Sequence, residues 1–205
     1  MKKSVKALLL VMCAIVLVVA TVFTTLAYMT SQTATITNTF SVGNVKITMD
    51  EAPVDVYGNV VEGDRRTANN YKLVPNASYT KDPTIHVQAG SEEAYVFVSV
   101  ANGIAAIEAV NEPATTIEAQ MIANGWTKHS TEANLWYKVN AVDARTQAVE
   151  VPVFANFTVA ADADVSSYTS ANITLVGYAI QKEGFANAEA AWEAAGDEVK
   201  ANLPA

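Results

Sequence analysis

Residues 94–100 read AYVFVSV and are apolar at every position but Ser99. Strand side chains alternate between faces, so a run that is apolar at both parities predicts a buried central strand. The segments around it are shorter and more polar. Residues 84–88, 135–139, 149–160 and 172–181 read as strands, the last with Ile173, Leu175 and Ala179 on one face. Pro152, near the start of 149–160, favours an edge or a bulge because proline brings no N–H to a ladder. Residues 71–74 read as a further strand stopped by Pro75-Asn76, and Tyr57-Gly58-Asn59 as a turn between Val54/Val56 and Val60/Val61. Residues 62–70 form a polar loop carrying Arg65 and Arg66. Two helices are expected. In 115–124, Thr115 and Glu118 fit a capping box, Ile117 and Met121 lie one turn apart, and Gly125 suits the C′ position. In 187–195, Ala188, Ala191, Trp192 and Ala195 form one stripe, and Gly196 ends it. Strands outnumber helices, and the regular strand–helix alternation of a parallel sheet is missing. The class is mainly β: an antiparallel β-sandwich with one or two short inserted helices.

The beginning of the chain is different. Lys2, Lys3 and Lys6 precede 20 residues, 7–26, without a charge. A basic start followed by an apolar run is the pattern of an exported leader, here an N-terminal signal helix. Its length would also suit a membrane span, the retained anchor being the alternative. Thr25-Leu26-Ala27 puts small residues at the −3 and −1 positions of a peptidase site, so cleavage is expected between Ala27 and Tyr28. No basic stop-transfer cluster follows, the next cation being Lys46. Cys13 lies inside the apolar run, so the mature chain would have no cysteine. Cleavage would leave 10 basic and 21 acidic residues, a net charge of −11. Beyond the leader, residues 33–49 read TATITNTFSVGNVKITM. Ala34, Ile36, Phe40 and Val42 hold the even positions, and Val45, Ile47 and Met49 the odd ones. A parity switch at Gly43-Asn44 marks a break between two strands. The first of these is β-prone, uncharged and short of large core residues.

Composition and spacing bound the chemistry. With 51% apolar and 17% charged residues the chain is not intrinsically disordered. A net charge of −8 is unsuited to nucleic acid, whose phosphates need a basic footprint. One cysteine and two histidines exclude a disulfide framework and cysteine-based zinc sites. His129 and Glu132 have H-x-x-E spacing but fall in what reads as a solvated polar turn, and His86 reads as a solvent-facing strand residue. Asp162 and Asp164 resemble the start of a calcium loop, yet Ser167 and Ile173 stand where glycine and glutamate belong, so a turn aspartate is the simpler reading. No nucleophile or phosphate-loop motif occurs. No catalytic residue, cofactor or metal site is assigned. Glu92 and Glu93 are expected to pair with Lys81 or with Arg65 and Arg66. Trp126, Trp136 and Trp192 could form a carbohydrate platform, but their positions favour core packing. The sequons at Asn76, Asn156 and Asn172 are read as chance occurrences.

The lysine-led leader, the small-residue cleavage site and the stretch Thr33-Ala-Thr-Ile-Thr-Asn-Thr-Phe40-Ser-Val-Gly43-Asn-Val-Lys-Ile47 together resemble the TasA/camelysin family of exported Gram-positive proteins. Leu73-Val-Pro75-Asn76-Ala-Ser-Tyr-Thr-Lys81-Asp82-Pro83-Thr-Ile85 is similar to that family's L-x-P-G-x-x-x-x-K block, with Asn76 in place of glycine. Both residues tolerate a left-handed turn. The ending Val176-Gly-Tyr-Ala-Ile180-Gln181-Lys-Glu-Gly184-Phe185, with Ala191-Trp192, resembles the C-terminal strand and helix of clostridial members. The resemblance implies a jelly-roll-like sandwich, removal of the leader by a SipW-type signal peptidase, and assembly into matrix fibres in which the N-terminal segment of one subunit completes the sheet of the next. The expected organisation is a signal peptide at 1–27, a donor or edge strand at 28–42 and a β-sandwich domain at 43–205. Ala34, Ile36, Phe40 and Val42 would form the subunit interface. The partners are then further copies of the chain and the signal peptidase, with membrane contact only through the uncleaved leader. Localisation would be secreted, at the cell surface or in a biofilm matrix. Two rival readings are a camelysin-like zinc peptidase, which would bind metal through His86 or His129, and a monomeric surface adhesin using exposed aromatics or the Arg65/Arg66 loop.

Overall fold

The computed structural model describes residues 4–6, 8, 10–17, 44–110, 116–200 and 203. The chain divides into two units, Met1–Ser41 and Val42–Ala205. In the first, the described residues are helical, and Leu8, Leu10, Met12 and Leu17 are exposed. Among the described residues no helix is long and apolar enough to cross a membrane.

The second unit is mainly β and antiparallel. Its strands are β1 (Ile47–Asp50), β2 (Ser78–Thr80), β3 (Thr84–Val87), β4 (Ala94–Asn102), β5 (Trp126–Lys128), β6 (Leu135–Lys138), β7 (Val149–Pro152), β8 (Asn156–Thr158) and β9 (Ile173–Gln181). Three short helices, α1 (Ile117–Ala123), α2 (Ala188–Glu193) and α3 (Asp197–Lys200), and two 3₁₀ turns complete it. The strands form sheets ordered β1-β3-β7, β2-β8 and β5-β6-β4-β9. β4 pairs with β9 over their whole lengths, from Ala94 opposite Gln181 to Asn102 opposite Ile173.

The apolar run of β4 is explained by what lies on each face. Val96, Val98 and Val100 point into the main core with Ile85, Val87 and Val151 of the three-stranded sheet. Tyr95 and Phe97 point the other way, into a second cluster closed by Ala188, Ala191 and Trp192 of α2. Two sheets therefore face each other, and α2 covers the outer face of the four-stranded one. Gly177 of β9 lies where they meet. A Cβ there would come within 3.3 Å of the Ile85 side chain, so the absence of a side chain lets the layers close. Trp126, Trp136 and Trp192 are all buried, which makes them core residues and not a binding platform.

Local chemistry accounts for several element ends. Asn187 caps α2 by accepting from the Ala190 N–H, and Thr116 caps α1 by accepting from the Ala119 N–H. The α1 cap is therefore one residue later than the Thr115-x-x-Glu118 box predicts; Thr115 lies outside the described residues. Gly125 follows α1 at φ +77, as a C′ glycine does. At the expected turn, Val54 bridges Val60, and Gly58 sits at φ +80 against the backbone of Tyr79.

Three expectations are corrected. Residues 149–160 are not one strand: after β7 the chain leaves the three-stranded sheet, and β8 pairs with β2 instead. Pro152 ends β7, which stands last in its sheet, in keeping with its missing N–H. Residues 71–74 are not a strand, because their polar backbone groups go elsewhere. The Lys72 carbonyl accepts from the Tyr79 hydroxyl, which in turn accepts from the Val74 N–H. The 129–132 turn does join two strands, but His129 is buried in it.

Candidate functional site

A cleft of about 530 Å³ opens among the described residues. It lies between the end of β1, the loop 66–73 and the chain entering β9, with Phe157 and Ile104 behind. β1 and β9 each stand last in the order of their sheet, so the cleft lies where the sandwich opens sideways. Met49, Leu73, Ile173 and Leu175 give it apolar walls.

Its polar end is built on the residue that follows β1. Glu51 is 3% exposed and Lys81 8%, and Lys81 Nζ lies 2.5 Å from Glu51 Oε2. Asn69 Nδ2 donates to the other oxygen, Oε1, at 2.9 Å and to the Ala52 carbonyl at 2.8 Å, while Asn69 Oδ1 accepts from the Val54 N–H at 3.1 Å. Backbone bonds in both directions between Glu51 and Arg66 pin the loop that carries Asn69. The ring of Tyr71 flanks Lys81, its centroid 6.0 Å from Nζ. Burial, with the charges of Glu51 and Asp82, pushes the Tyr71 hydroxyl well above its ordinary value, so it stays protonated and donates to the Thr80 carbonyl.

Outside this buried group lies a more exposed one. Arg65 bridges Asp50 at 2.5 Å and Asp82 at 3.0 Å, and Asp50 also meets His86 Nε2 at 2.9 Å. Burial alone would raise the Asp50 carboxyl, but the hydrogen bonds and charges of Arg65 and His86 outweigh it and hold Asp50 below 3.8. A carboxyl lowered by folding stabilises the fold above its unfolded value and loses that contribution as pH falls through the folded one. Asp50→Asn is therefore expected to be less stable than the wild type at pH 7, with the gap shrinking below about pH 4. Urea unfolding at pH 7 and pH 3 checks this, and an unchanged gap would refute it.

The structure separates the two histidines. His86 is half-buried and held by Asp50, with Glu150 3.7 Å from its other nitrogen, so it is not the solvent-facing residue expected. His129 is not solvated either. Its Nδ1 accepts the N–H groups of Thr131 and Glu132, making it a side-chain cap for its own turn. Glu92 and Glu93 do not pair with Lys81, Arg65 or Arg66: Glu93 meets Lys182 at 2.7 Å, Lys81 belongs to Glu51, and Arg65 to the two aspartates. Asp164 accepts from the Ser166 N–H at the start of a 3₁₀ turn, Val165–Tyr168. The expected cleavage site, Ala27 and Tyr28, and the expected interface residues Ala34, Ile36, Phe40 and Val42 lie outside the described residues.

The sequence reading missed the Glu51–Lys81–Asn69 group. Lys81 was expected only as a possible partner of Glu92 or Glu93, because its charge suggested a surface residue. No family model, curated protein or solved structure matches the chain.

Proposed function

We propose that this chain is an exported structural subunit that assembles head-to-tail into extracellular or matrix fibres. The observation that carries the reading is the make-up of residues 28–42. They are uncharged, β-prone and poor in large apolar residues, and they precede the end strand β1 by four residues in sequence. Such a segment has little core of its own to hold it, and an extended segment gains backbone hydrogen bonds by adding to a sheet edge. The cleft beside β1 and β9 supports the same reading, because it offers apolar lining where two sheets end. Addition of one subunit's segment to the next does not close on itself, and it produces filaments. The jelly-roll topology and the affiliation with TasA/camelysin proteins are part of this proposal, as is removal of the leader before Tyr28. The antiparallel, mainly β architecture accords with both.

Negative-stain electron microscopy tests it on chain beginning at Tyr28, beside a version lacking 28–42. Filaments from the longer form alone are expected. Filaments from both would retain the structural role and discard the donor segment. Filaments from neither, across several salt and pH conditions, would overturn the proposal in favour of a monomeric adhesin.

A further inference from the structure

We propose that Lys81 and Asn69 condense, with Glu51 as the proton carrier, to form an isopeptide cross-link inside the domain. The inference is independent of fibre assembly and rests on the contacts of one buried carboxylate. Glu51 holds the amine of Lys81 on one oxygen and the side-chain amide nitrogen of Asn69 on the other, at 2.5 and 2.9 Å. A nucleophile and the leaving nitrogen are thus each within hydrogen-bond reach of one group able to move protons between them. The Asn69 carbonyl oxygen accepts from the Val54 N–H, a fixed donor placed where negative charge would develop on attack. Lys81 and Glu51 are buried and Tyr71 flanks them, so little water competes for the amine. Proximity of this kind replaces a slow bimolecular encounter with a step inside one folded chain.

The reaction needs no oxidant and no co-reactant. Glu51 takes one proton from the Lys81 ammonium, and the freed Nζ lone pair attacks Asn69 Cγ. The carbonyl electrons move to Oδ1, where the Val54 N–H holds them. Glu51 passes its proton to Nδ2. The Cγ–Nδ2 bond breaks as the carbonyl re-forms, and ammonia leaves. The second Nζ proton goes to Glu51, and the third remains as the N–H of the new amide. Two buried charges are thereby replaced by a neutral amide beside a neutral carboxyl, which relieves the desolvation that burying an ion pair entails. The link ties the loop that forms one wall of the cleft to the chain leaving β2.

Mass spectrometry on the purified full chain decides the matter. The intact protein is expected to weigh less than its sequence by one ammonia. Trypsin should cut after Lys72 but not after Lys81, giving a branched product in which peptide 67–72 is joined to peptide 73–128. Glu51→Gln and Asn69→Ala should each restore a peptide ending at Lys81. A wild-type chain cut at Lys81 overturns the proposal. The same holds if ammonia is lost but Lys81 is still cut, since that outcome is a succinimide at an asparagine. The wild-type result is decisive whether or not the variants fold.

Discussion

Trp192→Ala is expected to lower the stability of the domain by about 3–5 kcal/mol, the usual cost of removing a large buried aromatic side chain. Trp192 is 1% exposed and packs, with Ala188 and Ala191 of α2, against Tyr95 and Phe97 of the four-stranded sheet. Its ring lies 5.2 Å from Phe97 and 5.4 Å from Tyr178, centroid to centroid, with His129 at 6.3 Å. These neighbours belong to β4, β9 and the β5–β6 turn, so they are held by strand pairing and cannot collapse into the space an alanine would leave. Trp192→Phe should cost much less. The indole N–H is buried without a hydrogen-bond partner among the described residues, so phenylalanine removes an unsatisfied donor while keeping most of the volume. Denaturant midpoints of the two variants at unchanged slope give the comparison. A loss below about 1 kcal/mol for Trp192→Ala would mean that α2 does not seal this face of the sheet.

The same helix shows which parts of the fold were readable. Its alanine–tryptophan stripe and its asparagine cap are local signals, and the helix formed on them, but it ends at Glu193 with Ala194 as its cap, short of the stop expected at Gly196. The AYVFVSV run likewise announced a strand buried on both sides, because both parities were apolar. Residues 149–160 misled because their apolar pattern continues across a change of sheet. The alternation records burial, not which strand supplies the hydrogen bonds, and Pro152 was the one local hint that pairing would stop there. Asn76 was readable for a backbone reason. Asparagine tolerates the left-handed region, and among the described residues Asn76 is the one non-glycine with positive φ, at 60°.

The polar group at the cleft was less legible, for a physical reason. Glu51, Asn69 and Lys81 are separated by 18 and 12 positions, and no periodicity connects them. They meet because the 54–60 turn and the Glu51–Arg66 backbone bonds fold the 62–70 loop back onto the end of β1. Charged residues in a turn-rich stretch read as solvated, and burial by a distant Tyr71 and Phe157 leaves no local mark. The two histidines failed in the same way. Each is fixed by a partner, Asp50 in one case and two backbone N–H groups in the other, that reading by motif spacing does not weigh.

On the proposed donor reading, Ile36→Asp and Phe40→Asp are each expected to abolish polymerisation. Ile36 and Phe40 share a parity with Ala34 and Val42, so in a strand all four fall on one face. A carboxylate carried by that face into an apolar groove on the next subunit would be desolvated without a partner, a penalty of several kcal/mol. Each 1.4 kcal/mol is about tenfold in affinity, so the addition step weakens by a factor of about a thousand or more and filaments fail to grow. The 42–205 unit has its own core, and thermal unfolding of the variant subunits should be unchanged. Thr37→Asp supplies the contrast. It adds the same charge at the opposite parity, where a donated strand faces solvent, and filaments should persist. If Ile36→Asp and Phe40→Asp still form filaments, the donor face is wrongly assigned. If all three variants fail alike, added charge and not the buried face is what blocks assembly.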